Sequence, residues 1–357
     1  MDKYWIALSS IEELSSSFIQ KLYNHFGDIE KAFNAGDLSE IDGLSVKKAE
    51  KFLRLRDKTD PDKALQLVLD RGVKYLTFED EQYPQMLRNI YDAPSVLYYK
   101  GDLFDCNLNK TLAVVGSRRA TSYAKDALAK IISELNGTDI CIVSGLASGI
   151  DTTAHVSALD NNLKTIGVIA NGFDYTYPAS NKELYKRIEN GNGAVVSEYY
   201  PTFEPLKFRF PQRNRIVSGL SYGTLVAEAS LKSGALITAN LTLEQGRELM
   251  CIPGLVTNPN TQGIYKLLKN GATLVTCADD VLEALGWEVK IEQKNLFELD
   301  LSENEQLIFD ALEIEDKCFD ELQAFTRLSV DDLLTYLTTM ELKGIIKQVD
   351  GDRYRKI

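Results

Sequence analysis

The sequence predicts an α/β protein: a parallel sheet covered by helices on both faces, with an N-terminal helical domain and a C-terminal winged-helix domain flanking it. Three observations predict this. From residue 111 to about residue 287, short β-branched runs alternate with amphipathic segments. Those runs are nearly continuously apolar, as strands buried on both faces are. Residues 302–343 read as three helices, and two short strands then flank Asp350-Gly351-Asp352, a hairpin signal.

Taken in order, Ile11, Leu14, Phe18, Leu22 and Phe26 recur at helical spacing, so residues 1–60 read as short helices. Gly43 marks a turn and Ser45 an N-cap before a helix at 46–55. A glycine hairpin between helices can hold a DNA phosphate on its backbone N–H groups. With few basic residues beside it, a small helical packing domain is the favoured reading. Residues 61–110 form a bridge, with a helix at 63–71, extended segments at 75–78 and 96–99, and Pro84 and Pro94 as boundaries. In the core, residues 111–290, strands are expected at 112–115, 140–144, 165–169, 194–197, 224–227, 248–252 and 273–275. The C-terminal domain, residues 296–357, holds helices at 302–312, 319–325 and 330–343 and strands at 345–349 and 353–355.

Composition bounds the function. Of 357 residues, 44% are hydrophobic and 26% charged, as in soluble globular proteins. No apolar run approaches the ~18–20 residues that span a bilayer. No h-region of a secretory signal lies behind Met1-Asp2-Lys3-Tyr4-Trp5, and the five cysteines are scattered without a Cys-x-x-Cys. The expectation is a cytoplasmic protein with no membrane contact, disulfide framework or zinc site. The net charge of −12 argues against a nucleic-acid partner. However, residues 283–332 hold fifteen acidic and four basic residues, so eleven of those charges sit in one segment. The rest of the chain is nearly neutral, and residues 205–227 carry Lys207, Arg209, Arg213 and Arg215 without an acid. A local basic stretch can bind an anion whatever the overall charge. The acidic C-terminal domain, in contrast, suits a protein contact better than a phosphate grip.

There is no phosphate-binding Gly-x4-Gly-Lys loop and no Gly-x-Gly-x-x-Gly fingerprint. The two histidines, His25 and His155, are far apart, which disfavours a histidine triad or metal cluster. No catalytic residue, metal or cofactor is expected.

The motifs that remain cluster at strand-to-helix turns. In Gly116-Ser117-Arg118, the glycine permits a tight turn, the N–H groups around Ser117 form an anion site, and Arg118 adds a bidentate fork. Ser144-Gly145 and Ser148-Gly149 form a second donor-rich turn, with Asp151 placed to cap the next helix. Further turns are Asn171-Gly172-Phe173-Asp174, followed by Tyr177-Pro178 and Asn181-Lys182; then Ser197-Glu198; and Ser230 to Thr238. In a parallel sheet all of these fall on the carboxyl edge, where open α/β sheets bind ligands. Phe208-Arg209-Phe210-Pro211-Gln212-Arg213-Asn214-Arg215 interleaves aromatics with arginines. Two readings stay open. The guanidinium groups grip phosphates while rings stack bases, as on single strands, or Arg213 and Arg215 pair with acids while the rings fill the core.

Those motifs, in that order, together with Tyr83-Pro84, Lys100-Gly101, Ile216-Val217-Ser218-Gly219, Ala235-Leu236-Ile237-Thr238-Ala239 and Gln245-Gly246-Arg247-Glu248, resemble the DNA-processing protein A (DprA/Smf) family along nearly the whole chain. The resemblance implies an extended Rossmann-like core between an N-terminal domain of SAM or helix-hairpin-helix type and a C-terminal winged helix. It implies a non-enzymatic homodimer that binds and protects single-stranded DNA during natural transformation. Such a protein displaces single-strand-binding protein and loads the RecA recombinase. The implied DNA-binding residues are Gly116, Ser117 and Arg118, with Ser144, Gly145, Gly149, Lys182, Lys207, Phe210, Arg213, Asn214, Arg215 and Ser233 around a central pocket. Three departures are Asn171, where a small residue is usual, Asn240, where arginine is common, and Ile264-Tyr265 after Gly263, where Cys-Asn or Thr-Asn is more usual. The alternative is a nucleotide-processing enzyme of the related phosphoribohydrolase-like superfamily, because Gly223-Thr224 and Glu228 resemble its Gly-Thr…Glu element. Glu228 would then assist glycosidic cleavage; otherwise it is a buried partner of Arg213 or Arg215.

Overall fold

The structure, a computed structural model, describes residues 2–287, 301–312, 316–343, 345–349 and 353–356. They divide into two compact units, Met1–Val289 and Lys290–Ile357.

The first unit opens with α1 (Asp2–Ser9), α2 (Ser16–Phe26), α3 (Ile29–Asn34), α4 (Val46–Arg56) and α5 (Pro61–Asp70). Ser15, Asp28, Ser45 and Asp60 cap the last four, each side chain accepting from first-turn N–H groups that the helix itself leaves unpaired. Trp5, Ile19, Leu22, Ile29 and Phe52 are buried between these helices, each contributing roughly 1.5–3 kcal/mol by leaving water.

The bridge is not a linker. Its extended segments are β1 (Lys74–Thr77) and β2 (Val96–Gly101), joined through α6 (Gln85–Arg88), and they add two antiparallel strands to the sheet. Val96 and Tyr98 face the N-terminal helices while Leu97 and Tyr99 face the main core. The helices thus roof this edge of the sheet, which is why four consecutive residues of β2 are buried. The segment expected as a separate domain, residues 1–60, shares its core with β2.

The core then runs β3 (Thr111–Val115), α7 (Ser122–Glu134), β4 (Cys141–Ser144), α8 (Ile150–Asp160), β5 (Lys164–Val168), α9 (Lys182–Arg187), β6 (Gly193–Ser197), α10 (Arg209–Gly219), β7 (Gly223–Val226), α11 (Ala235–Glu244), β8 (Glu248–Cys251), α12 (Gln262–Lys269), β9 (Thr273–Leu274) and α13 (Ala278–Leu285). The sheet order is β1-β2-β6-β5-β4-β3-β7-β8-β9, and β3 to β9 are parallel. The chain winds outward from β3 to β6, then returns to place β7 on the other side of β3. A crevice opens at such a reversal, outside the carboxyl ends of the strands.

The second unit comprises α14 (Glu303–Ala311), β10 (Lys317–Cys318), α15 (Phe319–Thr326), α16 (Val330–Leu342), β11 (Ile346–Val349) and β12 (Arg353–Lys356), with sheet order β10-β12-β11. Ile308, Leu322, Leu333, Leu337 and Ile346 form its core. Three of its cations pair within the unit: Lys343 with Glu305 at 2.8 Å, Arg355 with both oxygens of Asp316, and Arg353 with Glu321 at 3.4 Å. The expected turn at 350–352 and the start of the expected domain at 296–300 lie outside the described residues. No helix among the described residues is long and apolar enough to cross a membrane.

Candidate functional site

A cleft of about 910 Å³ opens at the reversal beside β3. The loop after β3 supplies Gly116, Ser117, Arg118 and Arg119; the loop after β7 and the first turn of α11 supply Ser230, Ser233 and Thr238; α10 and the residues before it supply Lys207, Phe210, Arg213 and Asn214. Gly116, Ser117, Arg118, Lys207, Phe210, Arg213, Asn214 and Ser233 from the expected set therefore meet in one place. The lining carries four cations, Arg118, Arg119, Lys207 and Arg213, against one carboxylate, Asp151. Arg118, Arg119 and Lys207 are exposed, and none makes an ion pair among the described residues. The positive end of α11 adds to the same field.

Local geometry explains the glycines. Gly149 has φ +82°, and a Cβ there would lie 2.7 Å from the Arg118 carbonyl carbon. Only glycine lets the two turns touch, and Ile150 N–H then donates to the Ser117 carbonyl at 3.1 Å. Asp151 does not cap α8 as expected. Its carboxylate accepts from the N–H groups of Gly145 (3.1 Å) and Ala147 (3.3 Å), tying the loop before the helix. Burial pushes the Asp151 pKa above the usual carboxylate range, against the opposing pull of Arg213, those N–H groups and Arg118.

Arg213 is buried under the cleft and donates to the carbonyls of Gly145 and Val168. Burial lowers its pKa, against the raising influence of Asp151. Above it, the Arg118 guanidinium sits 5.4 Å over the ring of Phe210, and Tyr177 leans on Phe210 at 5.2 Å and 58°. A side slot of about 50 Å³, lined by Gly145, Ser148, Tyr177 and Phe210, lies beside Arg118.

Other expected residues lie elsewhere. Ser144 is buried, and its hydroxyl donates to the Val114 carbonyl at 2.6 Å, so it serves the sheet. Lys182 is exposed on α9 but does not line the cleft. Arg215 is clamped by both oxygens of Glu198 at 2.6 Å, with Asp92 at 3.4 Å. Burial works against its charge, but these carboxylates outweigh it and raise the Arg215 pKa. Of the two open readings of the aromatic–arginine stretch, the ion pair holds for Arg215, and the cleft holds for Phe210. Arg209 is buried among Tyr199, Phe203 and Phe208 and pairs with Glu12, in the turn between α1 and α2.

Glu228 pairs with neither arginine, contrary to expectation. It is buried, one oxygen accepts from the Thr121 hydroxyl at 2.7 Å, and the other has no partner among the described residues. It does not line the cleft. Asn171 ties its own loop, donating to the carbonyls of Gly172 (2.9 Å) and Tyr175 (2.8 Å). Asn240 lies away from the cleft, beside Leu236 and Leu243. The expected set omitted Asp151, Arg119, Asn260 and Tyr177 from the lining. Tyr177 and Asn260 follow β5 and β8, and the parallel order alone puts such loops on the carboxyl edge.

Together, the fold and the cleft define an extended Rossmann-like α/β protein with a cationic switch-point crevice. The chain belongs to the DNA recombination-mediator protein A family, whose model matches residues 74–286. DNA processing protein DprA of Streptococcus pneumoniae is 40% identical over 273 residues, 75% of this chain and 93% of that protein. The X-ray structure of DprA from Streptococcus pneumoniae superposes with a TM-score of 0.69 at 35% identity, covering 81% of this chain and 99% of that one. DNA processing protein A from Helicobacter pylori, solved for insight into its single-stranded DNA binding mode, matches with a TM-score of 0.53 at 31% identity, over 59% of this chain and 95% of that one.

Proposed function

We propose that this protein binds single-stranded DNA in the switch-point cleft, without catalysis, and that it protects incoming strands and loads the RecA recombinase on them during natural transformation. The observation that carries the reading is the cleft's make-up: four cations to one carboxylate, with exposed aromatic surface among them. Cations match a phosphate backbone, and rings match bases that only an unpaired strand exposes. The relative from Helicobacter pylori, described for its single-stranded DNA binding mode, supports it. Homodimerisation, contact with RecA and displacement of single-strand-binding protein belong to the same reading through the family. The position of Glu228, held by Thr121 and outside the cleft lining, favours binding over glycosidic chemistry.

The test is a salt titration of binding to a labelled oligothymidylate, with a duplex of equal length alongside. Tight, salt-sensitive preference for the single strand is expected. Equal or absent binding at low salt would overturn the reading, and release of base from nucleotides, lost on Glu228→Gln, would replace it with the enzymatic one.

A further inference from the structure

The hairpin at Gly43 has few cations in its own sequence, but the folded chain gathers them around it. α4 leaves the hairpin through its N-cap, Ser45, and packs one side on the N-terminal core through Ala49, Phe52 and Leu53. At about 100° per residue, Lys47, Lys51 and Arg54 leave the opposite side. Lys58 continues the row, because Asp57 keeps a right-handed helical backbone and the Lys58 N–H still donates to the Leu55 carbonyl at 3.2 Å. At 1.5 Å per residue the row is roughly 16 Å long. Lys48 flanks it. α2 adds Lys21 at its head, with Nζ 3.4 Å from where a Cβ on Gly43 would lie. All six cations are exposed, and none of their side chains makes an ion pair or hydrogen bond among the described residues. Glu50 is the one carboxylate within α4, and Asp42 stands ahead of the turn.

These cations do not serve the fold. Arg56, on the core side of the same helix, shows what a structural cation does there. It donates to the carbonyls of Phe33 (2.8 Å) and Ala35 (2.6 Å) and meets Asp57 at 2.7 Å. The exposed row has no such partners, and like charges at i,i+4 spacing repel. A row that opposes its own helix and lacks an internal partner is complementary to an external polyanion.

Chemistry narrows the polyanion. A helix that lies on an anionic membrane buries an apolar face there. The apolar side of α4 is spent on the protein core, and Val46 alone is left exposed on it. A single strand is gripped by stacking as well as by charge, but the one ring of α4, Phe52, is buried. Duplex DNA needs no ring and carries one charge per ~1.7 Å of its axis.

We propose that the exposed row from 47 to 58, with Lys21 at its head, is a second nucleic-acid surface, and that it holds the phosphate backbone of duplex DNA. None of its residues lines the switch-point cleft. The protein therefore has separate surfaces for a duplex segment and for the ligand of the cleft. Contact through phosphates alone carries no sequence preference.

The test uses the full chain and a labelled, relaxed, covalently closed duplex circle, which has no strand ends. The wild type should bind the circle at low salt, more weakly than oligothymidylate. In Lys51→Ala/Arg54→Ala, the slope of log affinity against log salt should fall by about 1.8, the share of two phosphate contacts. The deficit against the wild type should then be about 12-fold larger at about 50 mM salt than at about 200 mM. Lys51→Glu/Arg54→Glu should lose more. Both variants should keep the wild-type urea midpoint, as exposed substitutions do. Both should bind oligothymidylate within about twofold of the wild type, as expected of a separate site. A wild type that does not bind the circle at low salt would overturn the proposal. So would wild-type affinity and slope in the variants, or an equal loss on circle and oligothymidylate, which would put both ligands on one surface. Binding of phosphatidylserine vesicles that depends on Lys51 and Arg54, without binding of the circle, would assign the row to a membrane instead. Circle binding that is lost in the variants, in a protein that ignores oligothymidylate, would support this surface while removing the single-strand reading of the cleft.

Discussion

The guanidinium of Arg213 lies against the backbone of Gly145, in the space that a side chain at position 145 would fill. A Cβ there would come within 2.6 Å of the guanidinium carbon. The glycine is thus needed less for its dihedral freedom than for a cation to pass beneath the turn and meet the carbonyls of Gly145 and Val168. A charge that burial disfavours is kept by carbonyl dipoles and by Asp151 nearby.

Gly145→Ala should displace Arg213. Overpacking a fitted interior costs about 1–3 kcal/mol, so the urea unfolding midpoint should fall, and single-strand affinity should fall with it. An unchanged midpoint would mean that Arg213 swings aside without cost.

Arg118 is exposed and rests on Phe210 with no carboxylate partner among the described residues. Arg118→Ala should lower single-strand affinity and reduce the salt slope by about 0.7, the share of one phosphate contact. Arg118→Glu should weaken binding further while leaving thermal stability nearly as it was. A slope unmoved in both variants would place the phosphate elsewhere.

Arg215 should behave in the opposite way. Glu198→Ala leaves a buried guanidinium with only Asp92, at 3.4 Å, to balance it. Losing one partner of a buried pair costs about 3–5 kcal/mol, and denaturant unfolding should register it. The salt slope of DNA binding should not change, because this arginine faces away from the cleft lining.

His155 makes stability depend on pH. It is fully buried, bonded through Nδ1 to the Thr165 hydroxyl at 2.7 Å, and burial lowers its pKa from 6.5 to about 3. Between those values the unfolded chain binds a proton that the folded chain refuses. The stabilising contribution is therefore whole above pH 6.5 and is lost as pH falls toward 3, by about 2 kcal/mol between pH 6.5 and 5. The difference in urea midpoint between wild type and His155→Gln, followed from pH 7 to 5, isolates this group from the titrating carboxylates. A constant difference across that range would refute the assignment.

Much of the architecture was legible because its signals are local. Strand–helix alternation marked every parallel strand from 112–115 to 273–275, and each is present. Once those strands are parallel, their following turns must share one edge, so the cleft's place followed from the sequence. β1 and β2 read as a bridge in the sequence because nothing local distinguishes a loose extended segment from a strand of the sheet. What makes them strands is the helical roof that buries Val96 and Tyr98 from the other side.

The residue types and spacing of the aromatic–arginine stretch are facts of the sequence, as is the small-residue chemistry of the turns. Which of these cations lines the cleft is decided by the tertiary structure. Arg213 and Arg215 are two residues apart on one helix, and at 100° per residue their side chains leave it on nearly opposite sides. One side lies beneath the cleft at Gly145; the other meets Glu198 and Asp92, brought there from the turn after β6 and the loop before β2. The same holds for Ser144 and Glu228, whose partners, Val114 and Thr121, are 30 and 107 residues away in sequence. Periodicity and propensity act over a few residues, and so they place elements. The partner of a buried polar group is chosen by the packing of distant segments, and only the folded chain brings those together.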